Sequence, residues 1–426
     1  MRIAVIGSGI AGNVAAWHLC REHDITVFES QGHVGGHTHT HDVVMQGQHY
    51  TIDTGFIVFN DWTYPNFIAL LDELDVPSLA TDMSFSSRCE ASSIEYNGSS
   101  LNGLFSQRSN LLRPAFHAMI RDILRFNREA RELLYTGSDE LSLGQYLSEN
   151  RYGRLFIHNY IIPMGAAIWS TDPRRMLDFP ARNFVRFFDN HGLLNIKNRP
   201  QWRVIKGGSR EYVTKLTAPF RDRIRLNEGV ISVKRLPTHV EVRTSSGSVE
   251  RFDYLFIASH SDQALAMLSD PTPSERAVLG SIPYQKNEVV LHTDTTLLPR
   301  RRRTWAAWNY LRRKSNEQDR VSLTYNMNIL QQLQAPETFC VTLNDTDNID
   351  PEKIIARMQY DHPLFTSAGI AAQRHHATIN GDRRTWYCGA YWRHGFHEDG
   401  VVSALNAVQN FREQVSHAQS YLRRTG

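Results

Sequence analysis

Met1-Arg2-Ile3-Ala4-Val5-Ile6-Gly7-Ser8-Gly9-Ile10-Ala11-Gly12 is the stretch whose reading decides the fold. Residues 3–6 form a short apolar run of the kind that builds a parallel strand buried on both faces. The glycines at 7, 9 and 12 follow at once, and residues 13–21 read as helix. A second β-like run, Ile25-Thr26-Val27-Phe28, ends at Glu29, 22 residues beyond Gly7. Strand, glycine turn, helix, strand and acid in this order make a dinucleotide-binding unit. Gly7 supplies the tight turn, Gly9 lets the backbone approach a pyrophosphate, and Gly12 permits close packing of helix on strand. The helix N-terminus presents free N–H groups and the positive end of its dipole to the phosphates. Glu29 is placed to accept from ribose hydroxyls, and an acid there argues against the extra 2′-phosphate of NADP.

Composition sets the outer bounds. At 426 residues the chain has material for two cores. A hydrophobic content of 41% with 21% charged residues describes an ordinary globular protein. The net charge of +3 gives no global electrostatic case for nucleic acid. Cys20, Cys89, Cys340 and Cys388 lie far apart with no CxxC pair, which suggests a reducing compartment and no disulfide framework. With a strand starting at residue 2 and no run of about 18 apolar residues, neither a signal peptide nor a membrane span is expected, and the expected location is cytoplasmic.

Further along, residues 43–52 read as a hairpin around Gly47, and Asp53-Thr54-Gly55 returns towards the nucleotide unit. Residues 64–74, 111–134 and much of 142–190 have helical spacing. From Trp202 the character turns back, with Gly207-Gly208 before a helix at 210–219 and short strands at 224–226, 230–235 and 240–244. Residues 253–258 are nearly all apolar, as a doubly buried strand requires. Segments 289–292, 304–310, 321–325 and 339–343 read as an antiparallel sheet, a helix is expected after Pro351, and another closes the chain over about 401–422. The expectation is an α/β protein whose nucleotide-binding domain (1–60, 200–260 and 375–426) is interleaved with an α+β substrate domain (61–199 and 261–374).

Residues 3–12, Glu29, Gly35-Gly36, Asp53-Thr54-Gly55, Gly207-Gly208, the Val230 strand, residues 253–258 and 389–400 together resemble the flavin amine oxidase superfamily. That superfamily includes monoamine and polyamine oxidases, protoporphyrinogen oxidase and phytoene desaturases. Gly35-Gly36-His37-Thr38-His39-Thr40, Ala167-Ile168-Trp169-Ser170 and Gly395-Phe396-His397-Glu398-Asp399-Gly400 look more narrowly like a bacterial subgroup of FAD-dependent oxidoreductases. Its genes often lie beside those for cyclopropane-fatty-acid-synthase-like methyltransferases. The resemblance implies a Rossmann-like FAD-binding domain. It implies that Gly7, Ser8, Gly9, Ile10, Ala11 and Gly12 hold the pyrophosphate, and that Glu29 and Ser30 hold the adenosine ribose. Val230 would meet the adenine. Gly35, Gly36, His37 and Thr38 would line the phosphate or ribityl side, with Thr54, Gly55, Gly389, Gly400 and Val401 near the flavin.

The departures from the family pattern are informative. His37 stands where an Arg is common, and Ala390 where an acid is common, with Glu398 or Asp399 as substitutes. Amine oxidases place a Lys on the strand matching residues 288–291; here Glu288 takes that place and Lys286 lies two residues earlier, on the same face of a strand. Lys286 and Glu288 are therefore the candidates for catalysis, and amine oxidation is weakened as a reading. Cys388 is not the position that tethers flavin in monoamine oxidases, so non-covalent FAD is expected.

His33, His37, His39 and His41 invite a metal reading, but no acid or Cys partner is placed beside them and no metal is expected. Trp169, Tyr391 and Phe396 are expected to wall the substrate pocket. Arg300, Arg301, Arg302 and Arg303, followed by Trp305, Trp308, Tyr310, Arg312, Arg313 and Lys314, read either as a solvated rim or as a peripheral contact with anionic lipid at the inner membrane surface. The expected reaction is hydride removal from an apolar, lipid-like substrate such as a fatty acyl chain, with O₂ or a quinone as acceptor. The alternatives are an amine or amino-acid oxidase and a non-catalytic flavin-binding partner.

Overall fold

The computed structural model describes residues 1–136, 141–169, 173, 175–313 and 322–425; Ser170 and Lys314, singled out above, lie outside them. Strand β1 (Arg2–Ile6) has four consecutive fully covered apolar residues because both its faces are packed. It leads through Gly7, whose φ of 98° needs a residue without Cβ, into helix α1 (Ile10–Leu19) and strand β2 (Asp24–Phe28). The parallel sheet then draws on distant stretches, in the order Ile224–Arg225, β2, β1, Tyr254–Ile257 and Thr385–Tyr387. Register is fixed at β1, where Ile3 faces Ile25 on one side and Tyr254 on the other.

Helix α1 and the last helix, His397–Thr425, cover one face of this sheet through Val5, Val14, Phe256, Trp386, Val408 and Phe411. A three-stranded antiparallel meander, Val230–Arg235, Val240–Thr244 and Val249–Phe252, shares the core of the other face with Ala4, Ile6 and Leu255. Strands β3 (Thr40–Met45) and β4 (Gln48–Asp53) form the expected hairpin, and Gln46 and Gly47 both take positive φ, as a type I′ turn demands.

A second, seven-stranded sheet runs in the order Ile354–Pro363, Tyr284–His292, Cys340–Leu343, Ser322–Asn326, Trp308–Arg312, Phe85–Cys89 and Ile94–Asn97. Helices Pro114–Glu129, Ile162–Trp169 and Ala181–Asn190 pack on it around Phe116, Phe126, Phe184 and Phe188.

Two expectations are corrected. The segment after Pro351 is not a helix but the ten-residue strand Ile354–Pro363, whose residues alternate between partly buried and exposed and which pairs antiparallel with Tyr284–His292. Its period-two pattern was hidden by Arg, Gln and Asp, which are tolerated on an edge strand. The closing helix begins at His397 rather than near residue 401, so Gly400 lies inside the first turn, its N–H bonded to the Phe396 carbonyl at 3.2 Å. No described helix is long and apolar enough to cross a membrane.

Candidate active site

A cavity of about 1280 Å³ runs from the carboxyl ends of the parallel strands to the seven-stranded sheet. Clefts at this end of such sheets are where doubly wound folds take ligands. The volume exceeds the ~1,000 Å³ upper range for one drug-sized ligand, leaving space for a dinucleotide and a substrate.

At one end the wall is made by Gly7, Ser8, Gly9, Ile10 and Ala11, by Glu29 and Ser30, by Gly35, Gly36 and His37, and by Val230. Helix α1 starts at Gly9 with no side-chain cap, so its first N–H groups have no side-chain acceptor. A Cβ on Gly9 would meet nothing within 4 Å, which leaves a cradle in front of the helix end that a phosphate group would fit. Gly36 closes against Gly9, its Cβ position 3.1 Å from the Gly9 Cα, and Gly35 N–H donates to the Ser8 carbonyl at 3.0 Å. An uncapped helix end beside glycine backbone and a carboxylate fits FAD.

The middle of the cavity takes in Thr54 and Gly55, Gly389, Tyr391 and Phe396, together with His260, Tyr360, His362 and His397. His397 stacks on Phe56 at 3.5 Å, and its Nε2 lies 3.0 Å from both Thr38 Oγ1 and Tyr212 Oη. Burial holds its pKa down at about 3, so the ring is neutral. His362 Nδ1 accepts from the Asn287 amide at 2.8 Å, and burial lowers its pKa to about 4. The far end is walled by Met164, Ile168, Trp169, Phe187, Trp308 and Phe365. Among the described residues, no Lys or Arg lines the cavity.

The expected site residues divide accordingly. Gly12, Thr38, Glu398, Asp399, Gly400 and Val401 stand behind the wall instead of lining it. Glu398 accepts from Asn66 Nδ2 and the Phe67 N–H at the start of helix Pro65–Glu73, and Asp399 accepts the N–H groups of His394 and Phe396. Both acids therefore brace the loop and do not replace the missing acid at Ala390. Gly400 serves by being small, since its Cβ would lie 2.6 Å from Ile10 Cγ2.

Lys286 and Glu288 are corrected more sharply. Both are exposed on strand Tyr284–His292, away from the cavity, while Asn287 and Val289 are the buried positions. Two-residue spacing did keep Lys286 and Glu288 on one face, but it is the outer one. Three of the four histidines pack ring against ring instead of converging, with centroids 4.2 Å apart for His33 and His39 and 4.1 Å for His39 and His41, while His37 turns to His260, Tyr360 and His362. Among the described residues no group of His, Cys, Asp or Glu is arranged to hold a metal ion.

In the basic segment, Arg300 to Arg303 are exposed, Arg301 pairs with Glu95, and Arg302 lies over the Trp305 ring. Trp308 lines the cavity and Tyr310 is core, because strand Trp308–Arg312 is interior to its sheet, so these two do not belong to a surface patch. The sequence reading gave no role in the site to His191, His260, Tyr360, His362 and His394. Tyr360 and His362 were lost with the misread strand, and nothing local shows that the others face the cavity.

The profile of the flavin-containing amine oxidoreductase family matches residues 10–322, and the chain belongs to that family. It is an FAD-dependent oxidoreductase of the amine oxidase superfamily. Similar solved structures include the fatty acid isomerase from P. acnes that produces CLA, with 16% identity, a TM-score of 0.69, and coverage of 96% of this chain and 98% of that one. Putrescine oxidase bound to putrescine gives 13% identity and a TM-score of 0.68, over 97% and 99% of the two chains. Cyclohexylamine oxidase from Brevibacterium oxydans likewise gives 13% identity and 0.68, over 97% and 99%. These likenesses describe the fold. A search of curated protein sequences finds no match.

Proposed function

We infer that this oxidoreductase dehydrogenates an apolar, lipid-like substrate. The observation that carries the reading is the far end of the cavity, where aromatic and aliphatic side chains form the wall and, among the described residues, no Lys or Arg reaches in. The Lys expected of an amine oxidase is absent from the inner face, and Lys286 points away from the cavity. Bound FAD supplies the two-electron acceptor. The chain's own contribution is to orient the substrate, exclude water and hold neutral imidazoles nearby. None of the four cysteines lines the cavity, which supports non-covalent FAD with no thioether tether.

A peripheral membrane contact fits an apolar substrate. Leu101 is 77% exposed on the short helix Leu101–Leu104, which packs beside the turn Arg302–Thr304, and Leu112 nearby in sequence is 87% exposed. Arginines beside exposed leucines suit an anionic bilayer surface. The four free cysteines suit a cytoplasmic location. Anaerobic titration of the holoenzyme with a lipid extract and with aqueous amines tests the substrate: bleaching of the flavin by lipid is expected, and bleaching by amines alone would refute it. Flotation with phosphatidylglycerol vesicles at low salt tests the surface, and failure to float would refute that part.

A further inference from the structure

His191 is a buried imidazole that the foregoing reading leaves without a task. It terminates helix Ala181–Asn190, and its Nδ1 lies 3.0 Å from the Phe187 carbonyl, which already accepts the His191 backbone N–H at 3.1 Å. A carbonyl only accepts, so Nδ1 carries the hydrogen and the tautomer is fixed. The ring is clamped face to face on Phe187 at 3.8 Å, with Phe396 at 5.9 Å and Trp202 at 6.3 Å. It is only 7% exposed and lines the cavity. Nε2 has no hydrogen-bond partner among the described residues. Burial, aided by His394 and opposed by the Phe187 carbonyl bond, depresses the pKa to about 4, which leaves the ring neutral near pH 7.

Capping the helix needs only Nδ1. The second nitrogen is left as a lone-pair acceptor among three aromatic rings, next to Phe396 on the loop that enters the last helix. An acceptor in such a place costs binding energy unless the ligand donates to it. A hydrocarbon or an ether oxygen offers it nothing. A hydroxyl, or an amine in its neutral form, satisfies it.

We propose that His191 Nε2 is the specificity-determining acceptor of the cavity, and that it holds the hydroxyl of an otherwise apolar substrate. The proposal rests on the apolar-substrate reading above and narrows it from lipid-like molecules in general to lipid-like alcohols. Nδ1 anchored on the helix backbone keeps the ring from turning away, so the direction of the hydrogen bond is set before the ligand arrives.

The experiment is isothermal titration of the FAD-loaded protein with octan-1-ol and with octyl methyl ether, which share a chain and an oxygen but differ in the donor. The wild type is expected to bind the alcohol about tenfold or more tightly than the ether, the effect of one buried hydrogen bond. His191→Phe should bind both equally while keeping its affinity for the ether, which shows that the pocket still folds. His191→Gln, whose amide donates to the Phe187 carbonyl and presents an oxygen acceptor, should restore part of the preference. Equal affinity of the wild type for alcohol and ether, or a preference that survives in His191→Phe, overturns the proposal alone. Binding of neither compound overturns the apolar-substrate reading and the proposal with it.

Discussion

Glu29 and Ser8 are joined twice: one carboxylate oxygen of Glu29 accepts the Ser8 backbone N–H at 2.9 Å and its hydroxyl at 2.6 Å. The other oxygen accepts the Gln31 N–H at 2.9 Å, so the acid ties the phosphate loop to the chain leaving β2. Glu29→Ala removes these bonds and the ribose acceptor together. With charged hydrogen bonds worth about 1.5–3 kcal/mol each, FAD affinity should fall at least tenfold. Quenching of FAD fluorescence by the apoprotein measures it, and unchanged affinity would exclude the assignment.

The glycines of the first turn separate folding from cofactor binding. A methyl on Gly12 would sit 1.9 Å from the Gly7 carbonyl oxygen, a backbone atom unable to move aside, whereas a methyl on Gly9 would meet nothing within 4 Å. Gly12→Ala is expected to lose several kcal/mol, about the upper range for overpacking, and to purify without flavin if it folds at all. Gly9→Ala should keep its Tm as apoprotein and still fail to hold FAD. Thermal melts and absorbance spectra of the two variants decide this, and flavin retained by Gly9→Ala would refute the pyrophosphate cradle.

Stability should fall on mild acidification. His191, His292, His362, His376 and His394 are held near pKa 4 and His397 near 3, chiefly by burial, against 6.5 in the unfolded chain. A depressed base binds more protons unfolded than folded, so its contribution is complete above pH 6.5 and is lost as pH falls towards 4. Asp53 and Asp399, raised to about 6 by burial, act oppositely between about 4 and 6. Six histidines outweigh two carboxyls, and the Tm should drop between pH 6.5 and 4. A flat profile would contradict the burial of these rings.

FAD affinity should itself depend on pH. Among the described residues the lining holds no Lys or Arg but includes His37, next to Gly36 in the loop packed on Gly9, with its pKa pushed well below 6.5 by burial. A bound pyrophosphate favours the protonated ring, so binding takes up a proton. Affinity then falls as pH rises from the free value to the value in the complex, by up to about tenfold per pH unit for one proton. His37→Arg, with a permanent charge, should flatten the curve. A wild-type curve already flat from pH 5.5 to 8 would rule this out.

Lys286→Met should leave the rate of flavin reduction by substrate within about twofold, since the side chain is exposed on the outer face of its strand. Stopped-flow reduction measures it. A loss of 100-fold or more, the scale of a missing acid or base, would restore Lys286 to the site.

The sequence by itself determined the nucleotide half of this protein. The strand, glycine turn, helix and acid of residues 2–29 are contiguous, and their hydrophobic period and glycine geometry are local properties; the structure repeats the order, with the helix at Ile10–Leu19 and so three residues earlier in its start than the expected 13–21. Residues 35–55 follow the same rule, since a hairpin writes its turn into neighbouring residues.

Only the tertiary structure decided the substrate half. Whether Lys286 faced the cavity depended on which side of a strand is covered, and that is fixed by sheets and helices far away in the chain. The wall of the cavity brings His191 beside Phe396 and His362 beside His37, pairs separated by hundreds of residues with no period linking them. Long-range pairing, not local propensity, sets which face a residue turns inward, and so the chemistry of the cavity was legible only once the chain was folded.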